Sequence, residues 1–143
     1  MHRVILLILL LVAGLKAQEI TPAQYWQSLS DSEKVAFVNG AYAMASRLKV
    51  HHEHEVNQQY YRDPNWIQPY YIERFYEIVE EHIAKEVGTH LEIITQAMDA
   101  LYSNYDNRRI PVIEALRIVS VAQDGDGAKG NLLLLQAQRK YRP

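Results

Sequence analysis

Cysteine is absent from this 143-residue chain. That excludes disulfides, thiolate zinc centres, cysteine nucleophiles, covalently attached c-type haem and a lipid-modified N-terminal cysteine. Glycine and proline are scarce, at 6 and 5 residues, which removes collagen-like and low-complexity classes. Neither sign of charge dominates. Fifteen Lys and Arg against 17 Asp and Glu give a formal charge of −2, so no basic surplus points to nucleic acid. The apolar run from Val4 to Leu15 has 12 residues, short of the ~20 that a membrane-spanning helix needs. No segment alternates apolar and polar long enough to argue a sheet. What remains is 48% hydrophobic and 22% charged, long enough for one domain with a real core.

The N-terminus reads Met-His-Arg, then the apolar run, then Lys16-Ala17. A short basic start followed by a compact apolar stretch is the layout of a secretory signal peptide over 1–17. Ala17 supplies a small residue before the cut, so Gln18 is the expected mature start. A retained N-terminal anchor is the competing reading, and cleavage would leave no permanent membrane anchor. The mature domain, 18–143, keeps 126 residues, and loss of Arg3 and Lys16 takes its formal charge to −4. The expected location is the periplasm or the extracellular space. An exported chain without cysteine must hold its fold by packing alone.

Helix signals fill the mature chain. Ser30-Asp31-Ser32-Glu33 is a capping box, and Val35, Val38, Ala41, Tyr42, Ala45 and Leu48 then recur at spacings of three and four. This predicts a helix from about Asp31 to the early fifties. Gly40 inside it suggests close approach of a neighbouring helix. After Asp63-Pro64-Asn65 and Pro69, a second long helix carries Ile72, Phe75, Val79, Ile83 and Val87 on one face. Gly88 marks a kink or a restart, with Leu91, Ile94, Ala97, Met98 and Leu101 continuing the face. Pro111 suits the first turn of a third helix, in which Val112, Ala115, Leu116 and Val119 form the stripe and Ile113 and Ile118 widen it. Asp124-Gly125-Asp126-Gly127-Ala128-Lys129-Gly130 reads as a loop before a last helix that carries Leu132 to Leu135 and Ala137 and ends in Arg139-Lys140-Tyr141-Arg142-Pro143, basic residues that complement its C-terminal dipole. The expected fold is all-α, a compact bundle of four to five helices.

Chemistry has few places to hide. His51, His54 and Glu55 share a face if helical, and His82, Glu86 and His90 form a second stripe, so a divalent-metal site between two helices is one alternative. Solvated polar faces are the plainer reading. The Glu-x-x-His pairs of di-iron bundles and the metalloprotease His-Glu-x-x-His pattern are both missing. Tyr60, Tyr61, Trp66, Tyr70 and Tyr71, with Phe75 and Tyr76, crowd one connection: five of the ten tyrosines fall in residues 60–76. Such aromatics either seal a core or present a partner or sugar surface. Asp106-Asn107-Arg108-Arg109 either binds an anion or caps the helix that follows. Glu80 and Glu81 look exposed. No nucleophile elbow, P-loop or dinucleotide fingerprint occurs.

Three segments carry a resemblance. They are Trp26 and Leu29 before Glu33-Lys34-Val35-Ala36-Phe37-Val38-Asn39-Gly40, then Met98-Asp99-Ala100-Leu101-Tyr102, then Asn107-Arg108-Arg109-Ile110-Pro111-Val112-Ile113-Glu114-Ala115-Leu116. Together with an export signal, this order resembles small exported bacterial helical proteins. It is distantly similar to the Tai-type immunity proteins that neutralise type VI secretion amidase effectors. The resemblance implies a compact, often dimeric, periplasmic helical domain, and no functional residue is carried over from it. The expected function is therefore non-enzymatic: contact with an unknown protein partner in the bacterial envelope, with no cofactor and with homodimerisation as a further expectation. The alternatives are metal binding by the His51–Glu55 cluster and a small glycan-binding or hydrolytic domain.

Overall fold

The computed structural model describes residues 20–142, so the signal peptide 1–17 and its cleavage site at Ala17 and Gln18 lie outside the described residues. The described chain is all-α. It has six helices rather than four to five: α1 Pro22–Ser28, α2 Asp31–Arg62, α3 Tyr70–Glu80, α4 Leu91–Ser103, α5 Val112–Gln123 and α6 Gly127–Lys140. A 3₁₀ turn, Tyr105–Asn107, follows α4. No helix among the described residues is long and apolar enough to cross a membrane.

Two of the differences in helix count have local causes. The short α1 starts at a second capping box, in which the Gln24 amide donates to Thr21 Oγ1 and the Thr21 amide to Gln24 Oε1, with Pro22 at the first position. Its Ala23 and Trp26 are buried, and the Ala23 amide donates to the Arg108 carbonyl 3.2 Å away. The second expected helix instead stops at Glu80. Residues 81–90 form successive turns that still bury Ala84 and Val87, and Gly88 takes a φ of +57°, which favours glycine.

The Ser30 capping box forms as expected, but α2 runs 32 residues, to Arg62. That is about 48 Å at 1.5 Å per residue. Nothing between the early fifties and Asp63-Pro64 breaks a helix, and the inward face simply continues. Val38, Tyr42, Ala45, Lys49, His52 and Val56 follow one another by four and three, all buried or half-buried. Leu48, expected on this face, is exposed. The half-buried Lys49 takes the inward place, its stem packed and its charge paired with Glu80.

The core gathers Trp26, Val38, Ile94, Met98, Tyr102, Ile110 and Leu116, each almost fully buried. Burial of each large apolar side chain contributes about 1.5–3 kcal/mol. Helix α5 is central: Ala115, Leu116, Ile118, Val119, Ser120 and Val121 are all buried, whereas Ile113 is exposed. Close helix approach occurs at Gly130 and not at Gly40. A Cβ on Gly130 would lie 2.9 Å from Ala122 Cβ, while Gly40 faces open space. Polar groups inside the core are paired. Tyr42 Oη and Ser120 Oγ lie 2.7 Å apart, and Tyr102 Oη donates to the Ile110 carbonyl at 2.8 Å. Burial pushes the Tyr102 phenol far above its ordinary range.

Candidate functional site

The aromatic segment is the end of a helical hairpin. Helix α2 ends at Arg62, capped by Asp63, and the chain turns through Pro64 and Pro69 into α3. Asp63 holds the turn: its Oδ1 accepts from the Asn65 amide at 3.0 Å and its carbonyl from the Trp66 amide at 3.0 Å. Tyr60 packs edge-on against Trp66 with ring centroids 4.9 Å apart, which leaves Trp66 half-buried. Around this pair stand Tyr61 at 82% exposed, Ile67 at 86%, Tyr70 at 76% and Tyr71 at 71%. These side chains do not seal a core. The buried apolar side chains nearest in sequence, Val56 and Ile72, lie outside the main core cluster.

The expected metal stripes do not converge. His51, His54 and Glu55 point to solvent from α2. The residue that turns inward is His52, which stacks on Phe75 at 4.7 Å and lies edge-on to Tyr76, with Nδ1 3.0 Å from the Tyr76 hydroxyl. His82, Glu86 and His90 share no helix, because 81–90 is a chain of turns. His82 Nδ1 lies 2.8 Å from the Ile78 carbonyl, and His90 precedes α4 without a side-chain cap. Among the described residues, no group of three or more His, Asp or Glu is placed to hold a metal ion.

Glu80 and Glu81 are not the exposed pair that the sequence suggests. Glu81 has a side chain only 5% exposed, because the turn after α3 swings it onto α5. Arg117 grips its Oε2 through Nε, at 2.8 Å, and through its terminal nitrogen. Lys129 Nζ lies 3.0 Å from Oε1, within ion-pair reach, although Oε1 makes no hydrogen bond among the described residues. Burial pushes this carboxyl up, but Arg117 and Lys129 outweigh it and hold it below the ordinary glutamate range. Glu80 pairs with Lys49 and Lys85, and those contacts lower it too. The two carboxylates line an open hollow of about 390 Å³ with Asp124 and Asp126. Asp124 accepts from the Glu86 amide and Asp126 caps α6, so the acids here are occupied in holding the fold.

Two further local readings change. Asp106 and Asn107 do not cap α5, which starts after Pro111 without a side-chain cap. Asn104 caps the 3₁₀ turn instead, and the buried Asn107 donates to the Leu101 carbonyl while accepting from Gln138, tying α4 to α6. Asp124 and Gly125 form the expected turn, with Gly125 at φ +88°, but the last helix starts already at Gly127, capped by Asp126, rather than near Leu132. A further polar cluster went unread in the sequence: Asp99 Oδ1 accepts from Trp26 Nε1 at 2.7 Å and from Lys34 Nζ at 2.8 Å. Its only sequence signal is an acid inside the apolar stretch Ala97-Met98-Asp99-Ala100-Leu101. No family model, curated protein or solved structure matches this chain.

Proposed function

We propose that this chain is an exported, non-enzymatic helical protein that binds a protein partner in the bacterial envelope through the aromatic end of the α2–α3 hairpin. The observation that carries the reading is the exposure of Tyr61, Ile67, Tyr70 and Tyr71 on one short stretch of chain. Large aromatics and an aliphatic side chain left in water cost free energy that a partner surface recovers, and tyrosine gives contact area at low entropic cost. Ile67 favours a protein partner over a glycan, which needs aromatic faces and polar edges but no aliphatic anchor. An immunity-like role against an envelope-degrading amidase accords with the resemblance in the Trp26–Gly40, Met98–Tyr102 and Asn107–Leu116 segments.

The test places a photo-crosslinking residue at Tyr61 or Tyr71, with Gln27 on α1 as the control position. Cells are fractionated and the adducts identified by mass spectrometry. The expected result is one discrete adduct with an envelope protein from either hairpin position, none from Gln27, and loss of the adduct in Tyr70→Ser. Cross-links absent from both hairpin positions, or the protein found wholly in the cytosol, overturns the reading.

A further inference from the structure

The charge of this protein is unevenly spread. Among the described residues, Lys34, Lys49, Arg74, Lys85, Arg117 and Lys129 all form ion pairs. Of the cations that form none among those residues, Arg47 and Arg62 stand apart on α2, while Arg108, Arg109, Arg139, Lys140 and Arg142 gather where the 3₁₀ turn, the end of α6 and the start of α1 meet. The Ala23 amide bonded to the Arg108 carbonyl and the Gln138 amide bonded to Asn107 tie these three pieces together. Two hollows open there. One, of about 500 Å³, is lined by Arg109, Arg142, Thr21, Ile20, Pro22 and Tyr141. The other, of about 370 Å³, shares Arg142 and adds Arg139 and Asp106.

Part of this positive charge has a structural use. Arg139 and Lys140 sit in the last turn of α6, where the helix dipole presents about half a negative charge. Arg108 lies over the Tyr105 ring, 3.7 Å from its centroid. Neither contact cancels a full charge, and Asp106 supplies a single acid, so the surplus remains. Arg109 and Arg142 border the larger hollow, and among the described residues no acidic side chain lines it. Its volume is that of a small-molecule site. Beside the Thr21 side chain, its other walls are apolar or aromatic: Ile20, Pro22 and the Tyr141 ring.

The geometry points to this hollow as a site for a phosphate group borne next to an apolar moiety, with Arg109 and Arg142 as the binding cations. Guanidinium groups match phosphate oxygens in forked geometry, and two of them on one hollow give a divalent anion more than a carboxylate would gain. The apolar walls receive what the phosphate is attached to. A phospholipid headgroup and a free organic or inorganic phosphate share this chemistry.

The full chain is titrated with inorganic phosphate while the arginine Nε resonances are followed by NMR. It is separately sedimented with vesicles of phosphatidylcholine alone or with added phosphatidylglycerol. Variants are Arg109→Gln/Arg142→Gln and, as a control at the other end of the molecule, Arg62→Gln, each checked by circular dichroism. Saturable shifts of Arg109 and Arg142 with inorganic phosphate identify a free anion. A gain in sedimentation from phosphatidylglycerol identifies a lipid surface. Either gain should fall more than about tenfold in the double variant and stay unchanged in Arg62→Gln. The proposal is overturned if neither probe is bound, if the double variant binds as the parent does, or if Arg62→Gln loses as much.

Discussion

The first half of α2 and the second half are held by different physics. Val38 and Tyr42 lie in the main core, with Trp26, Ile94, Met98 and Leu116 around them, and the Tyr42 hydroxyl is bonded to Ser120 on α5. Beyond Lys49 the same helix meets α3, where Val56 and Ile72 are the buried apolar side chains, and both lie outside that core. Aromatic stacking of His52 on Phe75 and the Lys49–Glu80 ion pair supply much of the rest. A bundle end that buries little can present much, and the exposed aromatics sit on that end. Glu81, with Arg117 and Lys129, joins the turn after α3 to α5 and α6 and so couples the hairpin to the bundle.

The largest effect should come from the core. Trp26→Ala removes a fully buried indole and its hydrogen bond to Asp99, and it leaves the buried Lys34, paired with the half-exposed Asp99, beside a cavity. A loss of about 3–5 kcal/mol is expected from denaturant unfolding. A loss below about 1 kcal/mol would mean that α1 is an appendage and not part of the core. Next comes the coupling itself. Arg117→Met leaves Glu81 with Lys129 and the more distant Arg74 on its other oxygen and should cost about 3 kcal/mol, the lower end for breaking a buried pair. Adding Glu81→Met should recover much of that loss, since an apolar replacement of both partners is often neutral. Failure to recover would show that the pair positions the 81–90 turns as well as neutralising charge.

The same carboxylate fixes a pH dependence. Glu81 and Glu80 are held below the ordinary glutamate range in the folded state, so the folded protein binds fewer protons than the unfolded chain as the medium acidifies. Their stabilisation is fully present above about pH 4.3, the unfolded glutamate value, and is lost as pH falls through the lowered folded values. Glu81→Gln should therefore flatten the acid limb of a stability–pH curve measured by urea unfolding. An acid limb identical to the parent's would show that other carboxylates dominate it.

A smaller effect separates the hairpin from the bundle. His52→Ala removes the ring contact with Phe75 and the edge-on contact with Tyr76 and should cost about 1 kcal/mol. Hydrogen exchange should quicken in α3 while amides of α5 stay protected. Equal loosening of both would mean that the two halves of α2 open as one unit.

Much of this architecture was legible because the helix signals are local. The Ser30–Glu33 box, the four-three spacing through Val38 and Tyr42, the Leu91–Leu101 stripe and the crowded apolar positions of α5 need only neighbours in sequence. What was not legible depends on partners far along the chain. Glu81 looks exposed until Arg117, 36 residues later, is folded onto it. Gly130 rather than Gly40 marks the close approach, because Ala122 arrives through a tight turn. The aromatic segment could be recognised by composition, but its exposure could not, since burial depends on what the bundle places opposite it. An arginine inside the apolar stripe of α5 was the one available hint that a buried acid must exist.

The smallest stability effect should accompany the largest functional one. Tyr61 and Ile67 face water almost entirely, so Tyr61→Ser/Ile67→Ser removes little packing and should change unfolding free energy by no more than about 0.5 kcal/mol. Trp66 and Tyr60 keep their edge-on contact and the Asp63 turn is untouched, so the hairpin end keeps its shape. Partner capture should nevertheless fail, because exposed apolar anchors at an interface carry a disproportionate share of the binding energy. Light scattering on the same variant also separates partner binding from self-association: a dimer that dissociates only when these two side chains are replaced would make a second copy of the chain their occupant. A variant that is as stable as the parent and still captures the partner would move the contact surface away from the hairpin end.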